Sequence, residues 1–461
     1  MRKLVVVLVL LLLLVPGVAW WLAGRALPPD VNVANPAAAI GQSLTLELDV
    51  RAPGGHLSAL EAALEQGTVR IPLVSLPYPD DTKLTQVSED QFRVTRTFNR
   101  AALKGLKNGP ARIVVHAERT VLFGFRRLGR SISHDVVVRL DPPRVAVLSM
   151  HHYVNHGGAE MVVYRATPAD VESGVRVGEV EYPGYPAADA GVATSDPALK
   201  VAFFALLWDQ DLDTPIEVFA RDTAGNRARA SFEHRVFPKP FRKSRIELDE
   251  RFLQRVVPEI LQNTPDFTIE DPNDVPKAFV AINSELRRKN AEQIAALAAK
   301  TAPRRLWEGP FRQLTNSQVE ANFADQRTYF YGGQEVDRQV HLGFDLAVTA
   351  NIPVRSANHG TVVFAGYLGI YGNCVIVDHG MGVQSLYAHL SSIEAKEGDA
   401  VKMDQELGRS GMTGLAGGDH LHFTMLVHGR PVTPVDWWSA QWIEDRIARK
   451  IREAGSGGAA Q

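Results

Sequence analysis

The hydrophobic pattern changes period several times along the chain. Residues 4–23 form one apolar run behind Arg2 and Lys3, with Trp20 and Trp21 near its end. Twenty helical residues reach about 30 Å, the hydrocarbon thickness of a bilayer. The basic start and the paired tryptophans predict a signal-anchor helix within residues 1–29, with a cytoplasmic N-terminus and everything after Arg25 outside. Gly17-Val18-Ala19 supports a competing reading, a cleavage site behind a shorter apolar core.

From Pro28 the period drops to two. SLTLELDV, QFRVTRTF, ARIVVHAE and HDVVVRL alternate apolar and polar residues as half-buried strands do. HLSALEAALEQG interrupts them and reads as a short helix or a bulged crossing. DPPR at 141–144 marks a boundary, because paired prolines break strand pairing. RVAVLSM, AEMVVYRA, VRVGEVEY, KVAFFALL and PIEVFARD then form a second set. Its ARDTAGN text resembles the last hairpin of bacterial immunoglobulin-like modules. Two β-sandwich units are expected, over 30–141 and 142–238, the second immunoglobulin-like.

Residues 239–304 read as a helical connector. FPKPFRKSR is Pro- and cation-rich, the composition of a solvated linker. Leu248, Phe252, Val256 and Ile260 recur every four residues, with Pro258 expected to kink or end that helix. Phe279, Ile282, Leu286, Ile294 and Leu297 mark a second helical stripe, supported by Glu285 and Lys289 four apart. These helices either make ordinary core contacts or flank a groove and restrict access to it. At the C-terminus, 441–461, AQWIEDRIARKIREA is amphipathic and expected to pack back on the protein, ahead of a flexible GSGGAAQ tail.

Residues 305–440 return to short strands between glycine-rich turns, and here the polar residues carry chemistry. His341 and Asp345 lie in HLGFD, His389 in LYAHL, His420 and His422 in DHLHF. In extended chain His420 and His422 share a face, as do His341 and Asp345. Two imidazoles, one carboxylate and an open fourth position describe a catalytic zinc site, which brings a water to a pKa near 7 and polarises a carbonyl. Two further histidines would carry protons and stabilise an oxyanion. Spacing alone does not choose which three of the five bind metal.

HLGFDLA, LYAHLS and GDHLHF look like the signature blocks of the lysostaphin-type (LytM-like) zinc endopeptidases that cut peptidoglycan. IPVRSANHGTVVFAG, YGNCVIVDHG, EGDAVKMDQELGRSGMTG and HGRPVTPVDWW fit between and after them. The resemblance covers roughly 305–440. It implies one zinc ion held by His341, Asp345 and His422, with His389 and His420 assisting catalysis. It also implies a small antiparallel β barrel-like domain, a duplicated hybrid motif, with the site in a groove. ANFADQRTY resembles the block before the first histidine, where the family often has Gly in place of Ala324.

The fold class expected is therefore mainly β and multidomain. At 461 residues the chain has room for about three domains. A formal net charge of −2 offers no basic field for nucleic acid. The single cysteine, Cys374, rules out an intrachain disulfide and reads as a buried small hydrophobe. His151, His152 and His156 lack a nearby carboxylate or cysteine and read as a solvated loop. Asp209, Asp211 and Asp213 lack the Gly and Glu of a calcium loop and read as an acidic hairpin turn. His359, His379 and His428 read as turn scaffold. Tyr387 shares a strand face with His389 and either packs or reaches the groove. The expected function is a membrane-anchored zinc endopeptidase acting on peptidoglycan peptide cross-links, single-pass in the cytoplasmic membrane with its body in the periplasm. The alternative is a wall-binding module or an activator of a cell-wall amidase.

Overall fold

The computed structural model describes residues 14–15, 17–54, 57–347 and 349–457. Most of the apolar run at 4–23 lies outside them. Among the described residues no helix is long and apolar enough to cross a membrane. Residues 458–461 of the expected tail also lie outside, whereas its first residues continue the helix Arg449–Gly457. Contacts divide the chain into two compact units, residues 1–143 with 221–228, and residues 144–220 with 229–461.

In the first unit, strand Leu44–Arg51 buries Leu44, Leu46, Leu48 and Val50 and turns Thr45, Glu47 and Asp49 outward. Its sheet runs Asp30–Asn35, Leu44–Arg51, Gln91–Phe98, Lys83–Ser88. A five-stranded sheet runs Ala39–Ile40, Arg126–Val138, Gly109–Val121, Ala59–Gln66, Val69–Ser75. HLSALEAALEQG is thus a strand and not a helix. It is paired on both sides, and the burial of Leu60, Ala62 and Leu64 at period two overrides the helix propensity of Ala, Leu and Glu.

The second unit contains a further sandwich and the motif-bearing sheet. One sandwich sheet runs Arg144–Val147, Ala159–Thr167, Leu199–Ala205, Tyr185–Pro186; another includes Val180–Pro183, Glu172–Val177 and Ile216–Arg221. The Asp209–Asp213 segment connects Leu199–Ala205 to Ile216–Arg221, so it crosses between sheets and does not close a hairpin. His152 is not in a solvated loop. It is buried in strand His152–Asn155, bonded to Ser149 Oγ at 2.9 Å and Glu233 O at 3.1 Å.

Asp345, His389, His420 and His422 sit on an antiparallel sheet ordered Gln318–Ala321, Phe344–Ala347, His420–Val427, Val383–Leu390, Asn373–Asp378, Gly360–Tyr367, Ala400–Val401, and His341 ends a strand of a neighbouring three-stranded sheet. Its core is continuous with that of the sandwich: Phe203 lies 6.3 Å from Trp307 and 6.1 Å from Trp437, centroid to centroid. The C-terminal helical run seals the same core with Trp442, Ile443, Ile447 and Ile451. It also buries Lys450, whose Nζ donates to Glu160 Oε1 at 3.0 Å and Met161 O at 2.8 Å.

Part of the expected linker is a strand. Lys243–Glu247 pairs in parallel with Asp325–Tyr331, which pairs with Gln334–His341. The helix Glu250–Asn263 follows, capped by Asp249 and running through Pro258 without ending. A second helical run over 275–297 carries a π-turn at Ile282–Leu286. Leu253, Val256, Val257, Ile260, Phe279 and Ile282 close on Tyr329 and Ile370. The helices are therefore a wall of this unit's core.

Candidate metal centre

Register brings the motifs together. Asp345 stands opposite His422 on neighbouring strands, and His422 is also opposite Ala388. His341 ends the strand paired through Asp325. His341 Nε2, Asp345 Oδ1 and His422 Nδ1 lie 2.9, 3.0 and 3.0 Å apart pairwise. Among the described residues these three form a group positioned to hold a metal ion.

The surrounding partners assign the tautomers. His341 Nδ1 faces the Asn322 carbonyl at 3.1 Å, so it carries the proton and leaves Nε2 as a lone pair. Thr424 Oγ1 spends its proton on Leu342 O at 2.9 Å. It can then only accept from His422 Nε2, 3.0 Å away, which leaves His422 Nδ1 as a lone pair. Three acceptor atoms thus converge where each would repel the others unless a cation lies among them. Two nitrogens and one carboxylate oxygen are a donor set suited to zinc.

Asp345 Oδ2 is held separately. Arg327 Nη2 donates to it at 3.1 Å, Arg327 Nε reaches Asp325 Oδ2 at 3.3 Å, and Ser244 Oγ donates to Asp325 at 2.7 Å. Gly343 is required by close approach, since a Cβ there would stand 2.5 Å from the His422 ring and 2.6 Å from Thr424 Oγ1.

His389 and His420 flank the triad, with ring centroids 4.9 Å apart. Strict alternation would put His389 on the face of Tyr387, opposite to His422. A bulge prevents it: Tyr387 pairs with Val375 and Leu390 with Asn373, so two residues oppose Cys374 alone. His389 takes φ +62° there and turns to the face of His420 and His422. Tyr387 stays in the core, packed on Phe423 at 5.3 Å, with its hydroxyl accepting from Ala357 N at 2.7 Å. The shared face expected for Tyr387 and His389 is therefore overturned.

His389 Nδ1 donates to Thr413 O at 2.8 Å, leaving Nε2 as an acceptor. Burial and the neighbouring His420 and His422 hold its pKa well below 6.5. His420 Nδ1 faces Gly418 O at 2.8 Å, and its Nε2 lies 3.5 Å from Asp345 Oδ1. Burial lowers the His420 pKa, but the Asp345 carboxylate more than offsets this and raises it overall. The environment thus disfavours a proton on His389, and the carboxylate beside His420 favours one there. The remaining histidines are scaffold: His379 bonds His359 O and Ser385 Oγ, both at 2.7 Å, and His428 stacks on Tyr185. Cys374 is buried.

A family model described as Peptidase family M23 matches residues 339–434. These residues form an M23 peptidase domain. The M23 segment is 41% identical over 97 residues to the DD-carboxypeptidase/endopeptidase Mpg of Neisseria meningitidis, covering 21% of this chain and 22% of that protein. It is 36% identical over 117 residues to the peptidoglycan DD-endopeptidase ShyA of Vibrio cholerae, covering 25% and 26%. The chain thus matches about a quarter or less of the length of these curated relatives. Among solved structures, the catalytic domain of lysostaphin from Staphylococcus simulans is 27% identical, covering 28% of this chain and 98% of that one, with a TM-score of 0.25. Ala324, where lysostaphin-type blocks often carry Gly, has φ +60° and is fully buried, so the position demands the conformation glycine adopts freely.

Arg327, Gly343 and Thr424 were not singled out in the sequence. Only the HxHxT alternation of the last motif strand, which puts Thr424 on the face of His422, could have flagged one of them.

Proposed function

We propose that this chain is a zinc metalloendopeptidase that hydrolyses peptide cross-links of peptidoglycan. In this reading residues 4–23 anchor it in the cytoplasmic membrane and its body lies in the periplasm. The observation that carries the chemistry is the convergence of three lone pairs, fixed by Asn322, Thr424 and Leu342, beside His389 and His420. The names of Mpg and ShyA support the substrate class.

His341, Asp345 and His422 would hold the ion. When bound, zinc supplies Lewis acidity for the scissile carbonyl and lowers the pKa of a water to about 7. His389 Nε2 accepts the proton of the attacking water, and Thr413 O keeps that nitrogen aimed inward. His420 donates from Nε2 to the oxygen on which negative charge develops and then protonates the leaving amine. Arg327, donating to Asp345 Oδ2, fixes the carboxylate in rotation.

The test pairs metal analysis with mass spectrometry of sacculus digests, comparing wild type, His420→Ala and chelated enzyme. About one zinc per chain is expected, with soluble peptide fragments from wild type only. Stoichiometric zinc with no release from any sacculus would sink the reading. N-terminal sequencing of membrane-fractionated protein tests the anchor, and a start at Trp20 would count against it.

A further inference from the structure

The hairpin joining Gly109–Val121 to Arg126–Val138 has an unusual tip. Val121 pairs with Arg126, leaving Leu122–Phe125 as the turn. Tight hairpin turns with positive φ normally use Gly, Asn or Asp. Here Leu122 and Phe123 both hold φ +55°. Phe123 is 100% exposed and Phe125 is 77% exposed, so neither ring is repaid by packing within the protein. Bulky side chains in a conformation that disfavours them, and fully in solvent, point to a surface outside the chain.

The neighbours of the tip say which surface. Arg126 Nη1 donates to Trp20 O at 2.7 Å, and its guanidinium lies 5.2 Å from the Trp20 ring. Arg119 Nε donates to Leu27 O at 2.8 Å. The hairpin is thus fastened to the chain where the apolar run 4–23 ends. Val18, Trp20, Trp21, Leu22 and Leu27 are all exposed there. Residues 119–130 carry four arginines: Arg127 lies 3.8 Å from Glu118 and Arg130 2.7 Å from Asp30, whereas Arg119 and Arg126 bond backbone carbonyls and keep their charge for another partner. Apolar rings at the apex with arginines just behind match a bilayer surface, acyl chains below and phosphates above.

We infer that Phe123 and Phe125 insert into the interface of a bilayer with anionic headgroups, beside the point where the anchor leaves it. The inference rests on the anchor reading above, and it makes the first unit a body held at two points. One point fixes only distance from the membrane, whereas two also fix orientation.

The test uses the full chain in vesicles of phosphatidylethanolamine and phosphatidylglycerol. An environment-sensitive dye is placed on Phe123→Cys, or on Thr85→Cys in the exposed strand Lys83–Ser88 as control. Cys374 is fully buried and leaves the introduced thiol as the labelled one. The dye at 123 should shift to the blue and be quenched by brominated acyl chains at least about threefold more than at 85. Replacing phosphatidylglycerol by phosphatidylcholine, or adding Arg127→Glu, should reduce that quenching. Equal quenching at both positions in vesicles that carry the protein overturns the hairpin and leaves the anchor standing. Protein that fails to float with vesicles, with the dye at 123 still in water, overturns both.

Discussion

His389 shows how much of the site depends on single residues. A non-glycine residue at φ +62° costs on the order of 1–3 kcal/mol, and here that strain puts an imidazole on the metal face. His389→Ala and His420→Ala should retain zinc while kcat falls by about 10²–10⁴ for the base and about 10²–10³ for the transition-state donor. His341→Ala and His422→Ala should lose metal and activity together, which metal analysis of the purified variants checks. Thr424 acts through His422 by accepting its Nε2 proton. Thr424→Val should weaken zinc affinity by about 10- to 100-fold with the fold retained, measured by competition with a chelating dye. The five motif residues were legible because histidines in a β pattern stand out by type. Thr424, Gly343 and Arg327 were not, because their roles exist only as contacts.

At the scale of elements, the helix Glu250–Asn263 braces the loop that aims His389. Glu259 Oε1 accepts from Gly414 N at 2.9 Å, and Arg255 donates to Met412 O at 3.2 Å and to Ala416 O. Thr413, inside that loop, supplies the carbonyl for His389 Nδ1. Glu259→Ala should speed hydrogen exchange at the Gly414 amide by at least about tenfold, the equivalent of one lost charge-assisted bond. Period-two and period-four text revealed most strands and both helices. It left Ala59–Gln66 open between a helix and a bulged crossing, and the strand there carries a bulge at Ala62–Ala63; it failed at Lys243–Glu247, whose partner strand lies some eighty residues away. A bulge is equally invisible to a period, so alternation misjudged Tyr387.

At the scale of the whole molecule, the sandwich and the motif sheet of the second unit share one core, and the helices close a separate cluster beside it, where the sequence suggested a sandwich and a peptidase separated by a connector. Asn155 of the sandwich donates to Asp436, just after the segment matched by the M23 model, at 2.8 Å. Burial pushes the Asp436 carboxyl up from 3.8 to about 6. Because the folded-state value is the higher one, the folded form binds the extra proton between those values. The stability this gives is present below pH 4 and lost as pH rises through about 6. Asp436→Asn should therefore stabilise the fold at pH 7.5 by about 3 kcal/mol at most and raise Tm there, and the gain should vanish near pH 4. Thermal scans of both proteins across that range decide it.

The parallel pairing of Lys243–Glu247 with Asp325–Tyr331 has a further consequence. The exposed turn at 271–273, between the two helices, is the natural place for a protease to nick this unit. The N-terminal side of such a cut would keep one strand of a shared sheet and the C-terminal side the other two, with the interior divided between them. The two fragments should migrate as one species on a native gel and separate only in denaturant.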